Sequence, residues 1–279
     1  MGIYLKSLFR VAIAITIGLV LSMAAERDIR RMYSIPTYNQ VTSLDNNSHH
    51  VLVSNQKKII ERSRSSAVRI LSLSIENGGV ASSSGTYIEM YGHHYVITTN
   101  HGILGNCENT KIVVDDISYD CLNFVELNDE VDYALIQIEE IEHRNAVKIP
   151  QKIARTNKEW MKALSVMSTT YYTGFPNGMG PRTIDGKIMG HSREGYIYMN
   201  SYAWSGSSGS GVFSQSGDYI GYVIAIDVGP GFAGPTVLEN VVLVVPAYRI
   251  NWASAADMLL RRLSESQDTA NYSDTNSED

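Results

Sequence analysis

The sequence predicts an all-β fold of two antiparallel β-barrels, followed by a C-terminal helix, on three observations. From Ala67 onward the chain breaks into short runs rich in Val, Ile, Thr and Tyr, the composition of pleated, half-buried segments. Turn clusters separate those runs at Glu76-Asn77-Gly78-Gly79, Asp115-Asp116, Ser192-Arg193-Glu194-Gly195 and Ser216-Gly217-Asp218. The runs number twelve in a chain of 279 residues, which suits two barrels rather than one sheet.

Taken in order, the chain opens on Lys6 and Arg10 ahead of Val11 to Ala25, fifteen uncharged residues that close on the small residues Ser22, Ala24 and Ala25. This predicts an export signal over residues 1–31, and the same stretch extended back through Leu8 and Phe9 also suits a membrane anchor. Either reading makes the protein secreted, periplasmic or membrane-anchored through residues 11–25. Residues 32–64 are expected to form a polar linker and then a short helix around Gln56 to Arg64. Strands are expected at 67–75, 85–91, 94–99, 111–115, 117–127 and 132–139 in a first barrel spanning 65–150. The second barrel, 151–246, takes strands at 165–173, 183–190, 195–203, 211–215, 219–227 and 239–246. Ile250, Ala253, Met258, Leu259 and Leu263 then recur at helical spacing, ending at Arg261-Arg262, which predicts a helix over 247–263. Residues 264–279 are acidic with little apolar content and read as a disordered tail.

Composition removes several classes of function. There are 29 acidic residues against 23 basic ones, a net charge of -6, so no basic field exists to hold nucleic acid. A hydrophobic fraction of 44% supports a packed core and excludes disorder of the whole chain. Two cysteines, Cys107 and Cys121, exclude a disulfide scaffold and a four-cysteine zinc site. They straddle an expected hairpin, and both a disulfide formed after export and two buried thiols fit that placement. No clustered His, Cys or acidic spacing predicts a metal, and no Gly-rich loop with a following Lys predicts a bound phosphate. No cofactor is expected.

The chemistry concentrates in three segments. Gly206-Ser207-Ser208-Gly209-Ser210-Gly211 lies between two strands. Its glycines permit a sharp turn that exposes a hydroxyl while the N–H groups of Gly206 and Ser208 point at one spot. A flexible Gly/Ser hairpin loop also accounts for this hexapeptide on its own. Tyr95 to Ile103 is a β run that delivers His101 at its end, and Asp132 stands at the start of the apolar run Tyr133 to Ile138. His93 and His94 lie at the far end of the first run and read as turn or face residues, and His191 reads as a surface histidine.

His101, Asp132 and Ser208, in this order and in these contexts, resemble the trypsin-like serine proteases of the chymotrypsin fold. The resemblance runs from Gly85 to Trp252. It includes Thr98-x-x-His101, Asp132-x-Ala134-Leu135, the Gly206-x-Ser208-Gly209 loop, the hairpin Asp218 to Val223 and the Tyr248 to Trp252 start of a C-terminal helix. In motif style it is similar to HtrA-type and to viral or bacterial trypsin-like peptidases. The resemblance implies that Ser208 is the nucleophile, chosen over Ser205, Ser207 and Ser210 by its flanking glycines. It implies further that His101 is the general base, that Asp132 orients it, and that Gly206 and Ser208 form the oxyanion hole. Many members carry Asp immediately before the nucleophile and pair it with a new N-terminal ammonium. Ser207 stands there in this chain, so the loop is expected to be held by other contacts. No PDZ-like module is expected after Trp252.

The expected function is therefore a serine endopeptidase acting on a protein or peptide through an acyl-enzyme. The alternatives are a catalytically silent peptide-binding module of the same fold and a viral polyprotein-maturation protease. The resemblance implies a primary pocket around Tyr202, Ala203 and Trp204 and along Tyr222 to Asp227, where aromatic walls suit a restricted or apolar pocket and an inward Asp227 would instead select a basic side chain.

Overall fold

The computed structural model describes residues 54–76, 78–149, 164–231 and 234–258. The expected export segment, the linker as far as residue 53 and the acidic tail lie outside the described residues. Helix α1 spans Ser54–Ser66 and buries Ile59. It ends where the Ser65 and Ser66 hydroxyls bond back to the Arg62 carbonyl, a local pairing that competes with continuation of the helix. The chain passes directly into a strand at Ala67.

Eight strands follow: β1 (Ala67–Ser74), β2 (Gly79–Met90), β3 (His93–Thr98), β4 (Thr110–Val114), β5 (Ile117–Asp120), β6 (Asn123–Asn128), β7 (Tyr133–Ile138) and β8 (Val147–Ile149). They form a sheet in the order β5-β4-β1-β2-β3-β7-β6, with β8 parallel to β2. The path ends at β5 and β6, so this first unit is a half-barrel rather than a closed one. Two of its hairpins turn on two residues with positive φ, Tyr91-Gly92 and Asp115-Asp116, the geometry whose twist matches the flanking strands.

The second unit is a closed barrel of β9 (Thr169–Gly174), β10 (Arg182–His191), β11 (Ile197–Asn200), β12 (Gly211–Ser214), β13 (Tyr219–Gly231) and β14 (Gly234–Pro246). Its order is β10-β11-β14-β13-β12-β9, and β9 pairs with β10 to close the ring. The fold class expected from the sequence holds: a mostly β molecule of chymotrypsin-like design.

Three details differ from expectation. The single strand expected at 117–127 is two strands that break at Cys121-Leu122, because β5 pairs with β4 whereas β6 pairs with β7. β8 was not expected, since three residues are too few to show a period. The C-terminal helix expected from 247 opens instead as a short 3-10 turn at Ala247–Arg249, with Ile250 extended, and the α-helical residues described are 253–258.

One apolar cluster, including Val68, Ile70, Tyr87, Val96, Ile112 and Ile136, fills the half-barrel. A second is continuous between the two units, running from Tyr133 and Leu135 to Tyr172, Phe213, Tyr222 and Val244. The junction of the units is thereby part of the core, and the residues of interest stand on it.

Candidate active site

β3 ends at Thr98, and the chain leaves it through a short 3-10 turn, Asn100–Gly102, that carries His101. The turn between β6 and β7 carries Asp132, whose φ of 58° is left-handed, a conformation that Asp tolerates better than most residues. That turn is fixed locally, because Val131 N–H donates to Asn128 Oδ1 at 2.9 Å. It is fixed from the closed barrel as well, where the buried Tyr222 hydroxyl donates to the Val131 carbonyl at 2.8 Å.

Asp132 reaches His101 with both carboxylate oxygens. Oδ1 accepts from His101 N–H at 2.8 Å and Oδ2 accepts from Nδ1 at 2.6 Å. A carboxylate can only accept, so the ring proton sits on Nδ1 and Nε2 is left as the basic nitrogen. The His101 side chain is 52% exposed and Asp132 20% exposed. The base thus faces solvent while its orienting group is largely covered.

The loop Trp204 to Gly209 is fixed by its carbonyls. Trp204 C=O accepts from Ser207 N–H at 2.8 Å, and Ser205 C=O from Asn177 N–H at 2.6 Å. Gly206 C=O accepts from the Ser84 hydroxyl at 2.6 Å. Ser207 C=O takes Ser210 N–H at 3.1 Å and the Ser210 hydroxyl at 2.6 Å. Ser208 C=O accepts from Ser84 N–H at 2.9 Å. In a trans peptide the N–H points away from the preceding C=O, so anchoring Ser205 C=O and Ser207 C=O aims the N–H groups of Gly206 and Ser208 in the opposite direction. Among the described residues neither of these N–H groups makes a hydrogen bond. Gly206 and Gly209 have φ of 89° and 88°, and a Cβ on Gly209 would run into the Ser84 carbonyl and the Thr98 hydroxyl. Only glycine serves there.

Ser207 is buried and its hydroxyl accepts from Trp204 N–H at 3.2 Å. The loop is held by neutral hydrogen bonds to β2 and to the Phe175–Gly178 segment rather than by an ion pair.

His101 and Asp132 are brought together directly. Ser208 comes to the same junction, since Thr98 Oγ1, three residues before His101, donates at 2.7 Å to the Ser84 carbonyl of the residue that holds Ser208. The Ser208 hydroxyl itself donates to the Ile224 carbonyl at 3.1 Å. That carbonyl is available because the β13–β14 register slips between Val223 and Ala225, leaving Ile224 without a ladder partner. No hydrogen bond joins Ser208 to His101 among the described residues.

Of the expected pocket residues, Tyr202 lies at the surface, 58% exposed, and stacks on Trp204 with ring centroids 6.2 Å apart. Its carbonyl accepts from the buried Tyr172 hydroxyl. Ala203 between them is buried. The backbone of Asp227 pairs with Leu238, and its side chain lies outside the described residues. Cys107 and Cys121 form a disulfide with Cα atoms 5.2 Å apart, tying the turn before β4 to the end of β5. His191 bonds to the Leu164 carbonyl and His94 to the Tyr87 hydroxyl, both away from His101. No group of three His, Cys, Asp or Glu side chains converges to hold a metal among the described residues.

Sequence reasoning missed Ser84, Asn177 and the Ile224 carbonyl. All three act through backbone atoms or through a serine in the polar run Ser82-Ser83-Ser84, and only Gly85 beside Ser84 carried a signal of close packing.

A two-unit β fold with a His–Asp pair and a glycine-framed serine loop at its junction defines a protein of the trypsin-like class. Residues 83–221 match the family model of the trypsin-like peptidase domain. No curated protein matches the chain in sequence. Among solved structures, a protease of M. tuberculosis in its active form is 17% identical, with a TM-score of 0.51 over 68% of this chain and 79% of that one. A serine endoprotease from Yersinia pestis is 18% identical, with a TM-score of 0.53 over 77% and 68%. The HtrA-type protease AlgW, solved with a tripeptide, is 16% identical, with a TM-score of 0.52 over 70% and 60%. At these identities the likeness establishes the fold.

Proposed function

We propose that this peptidase domain is a serine endopeptidase in which Ser208 is the nucleophile, His101 the general base and Asp132 its orienting group. The observation that carries the reading is the two-point grip of Asp132 on His101, through N–H and Nδ1, which presents Nε2 as a proton acceptor. In the first half-reaction Ser208 Oγ bonds to the scissile carbonyl carbon and its proton passes to His101 Nε2. Collapse breaks the C–N bond, the same proton leaves with the amine, and water repeats the sequence on the acyl-enzyme. The oxyanion meets the N–H groups of Gly206 and Ser208, which are aimed without competing partners. Attack requires Ser208 Oγ to leave the Ile224 carbonyl. An extended peptide laid along β13 supplies an N–H to that acceptor and releases the hydroxyl.

The substrate is an extended protein or peptide segment, with the Tyr202–Trp204 step beside the loop as a contact surface. The uncharged stretch 11–25 supports export or anchoring, and the Cys107–Cys121 disulfide fits the oxidising compartment to which export leads.

The bond from Ser208 to Ile224 favours a second reading, a peptide-binding module whose serine stays turned away. Incubating the full chain with an unstructured protein such as casein, and mapping products by mass, separates the two. The endopeptidase reading predicts internal cleavage that disappears in Ser208→Ala and His101→Ala. Binding of casein fragments without cleavage would establish the silent module instead.

A further inference from the structure

We infer that Ser84, on β2 of the half-barrel, is a positioning residue that sets the oxyanion loop from across the junction of the two units; the inference builds on the endopeptidase reading. Ser84 is fully buried and uses every polar atom it has. Its hydroxyl donates to Gly206 C=O at 2.6 Å and accepts from Phe175 N–H at 2.8 Å. Its N–H donates to Ser208 C=O at 2.9 Å, and its C=O accepts from Thr98 Oγ1 at 2.7 Å. One residue therefore joins three segments, the strand leading to His101 through its backbone carbonyl and, through its hydroxyl, the Phe175–Gly178 turn and the loop bearing Ser208.

The geometry explains why this matters for chemistry. The Ser84 hydroxyl fixes the 206–207 peptide, and its N–H fixes the 208–209 peptide. The two N–H groups that point at the expected oxyanion belong to the peptides on either side, 205–206 and 207–208, so they cannot rotate while Ser84 holds their neighbours. Phe175, held by the same hydroxyl, precedes the left-handed Asn177 whose N–H anchors Ser205 C=O. Loss of the hydroxyl frees Gly206 C=O and Phe175 N–H at once, while the Ser84 N–H still holds Ser208 C=O. That loss strands the Gly206 carbonyl and the N–H of the buried Phe175 without a partner, which drives the loop to rearrange. Ser84 thus takes the part that an ion pair at position 207 would otherwise play, using neutral groups that need no proteolytic activation to form.

The test uses the full chain and compares Ser84→Ala with Ser63→Ala, which removes an equally buried hydroxyl, bonded to Thr173 Oγ1 at 2.8 Å on the opposite side of the closed barrel's first strand. Two readouts are taken: kcat and KM on a peptide substrate, and amide hydrogen exchange in peptides covering 174–178 and 204–210. Ser84→Ala is expected to lower kcat about 10- to 100-fold with KM within about twofold. Its loop amides are expected to exchange at least about tenfold faster. Ser63→Ala is expected to lower Tm comparably and to change neither. Ser84→Cys, close in size and a weak hydrogen-bonding group, should fall between wild type and alanine and serves if the alanine variant does not fold. Wild-type kcat and loop exchange in the Ser84 variants would overturn the inference. A wild-type chain that hydrolyses nothing would overturn the endopeptidase reading alone, and the exchange comparison then still decides whether Ser84 holds the loop.

Discussion

Asp132 is held in a left-handed backbone conformation that costs about 1 kcal/mol or more for a residue with a Cβ, and in return both of its oxygens reach His101. An amide at that position presents one acceptor and one donor, so it cannot hold both the His101 N–H and the Nδ1 proton. Asp132→Asn is therefore expected to lower kcat about 10⁴-fold, and Ser208→Ala about 10⁴- to 10⁶-fold, with little change in Tm for the latter. Steady-state peptide hydrolysis with thermal melts on the same samples checks both. Gly209→Ala is a different kind of lesion, since the new methyl meets the Ser84 carbonyl at a φ of 88°. It should abolish activity and also lower stability by about 2 kcal/mol or more, read by urea denaturation. At this scale the sequence is most legible beside strand ends: His101 follows one strand, Asp132 precedes another and Ser208 sits in a glycine frame between two more. Ser84 did not stand out, because the partners of its hydroxyl and N–H lie more than ninety residues away at Phe175, Gly206 and Ser208. A serine next to two others carries no trace of such pairing.

Among elements, the strands whose two faces are both buried were the easiest to read. β7 is covered along its whole length and appears in the sequence as a run that is apolar but for Gln137. The stretch 117–127 was harder, because both halves have strand composition and only the change of partner from β4 to β7 divides them. The disulfide lies at that division. It closes a loop with a sequence separation of 14 around β4 and β5, for which chain entropy alone gives about 3 kcal/mol. Reduction, or Cys107→Ser with Cys121→Ser, is expected to lower Tm by about 6–12 °C on that basis. Calorimetry with and without reductant reads it directly, and an unchanged Tm would show that the half-barrel is held by its strands alone. The pocket is the least legible element. Tyr202 was expected to frame it and instead stacks outward on Trp204, because the alternation that decides which side chain faces inward is lost in a stretch that is not a strand.

The whole molecule is sealed by tyrosines. Tyr172, Tyr219 and Tyr222 are buried in the core shared by the two units, and burial pushes each phenol well above its usual ionisation near pH 10. Tyr133 is raised by burial and then by its bond to Glu126. In the unfolded chain these phenols titrate near pH 10, whereas the folded protein keeps their protons to higher pH. The stability they lend is fully present below about pH 10 and is lost as pH rises beyond it. The urea midpoint is expected to stay level up to about pH 9.5 and then fall steeply, less so in Tyr219→Phe. A midpoint that is flat through pH 11 would contradict the buried-phenol account.

The same junction that buries the tyrosines carries the His101–Asp132 pair and the serine loop, and the central claim is that these form one working site. Labelling the full chain with a fluorophosphonate probe, followed by mass mapping, tests it most directly, because the probe reacts only with a serine whose proton has a base to take it and whose oxyanion is received. The account predicts a single label at Ser208 that is lost in Ser208→Ala and in His101→Ala. A folded wild-type chain that takes no label, or takes it at a serine other than Ser208, would contradict it.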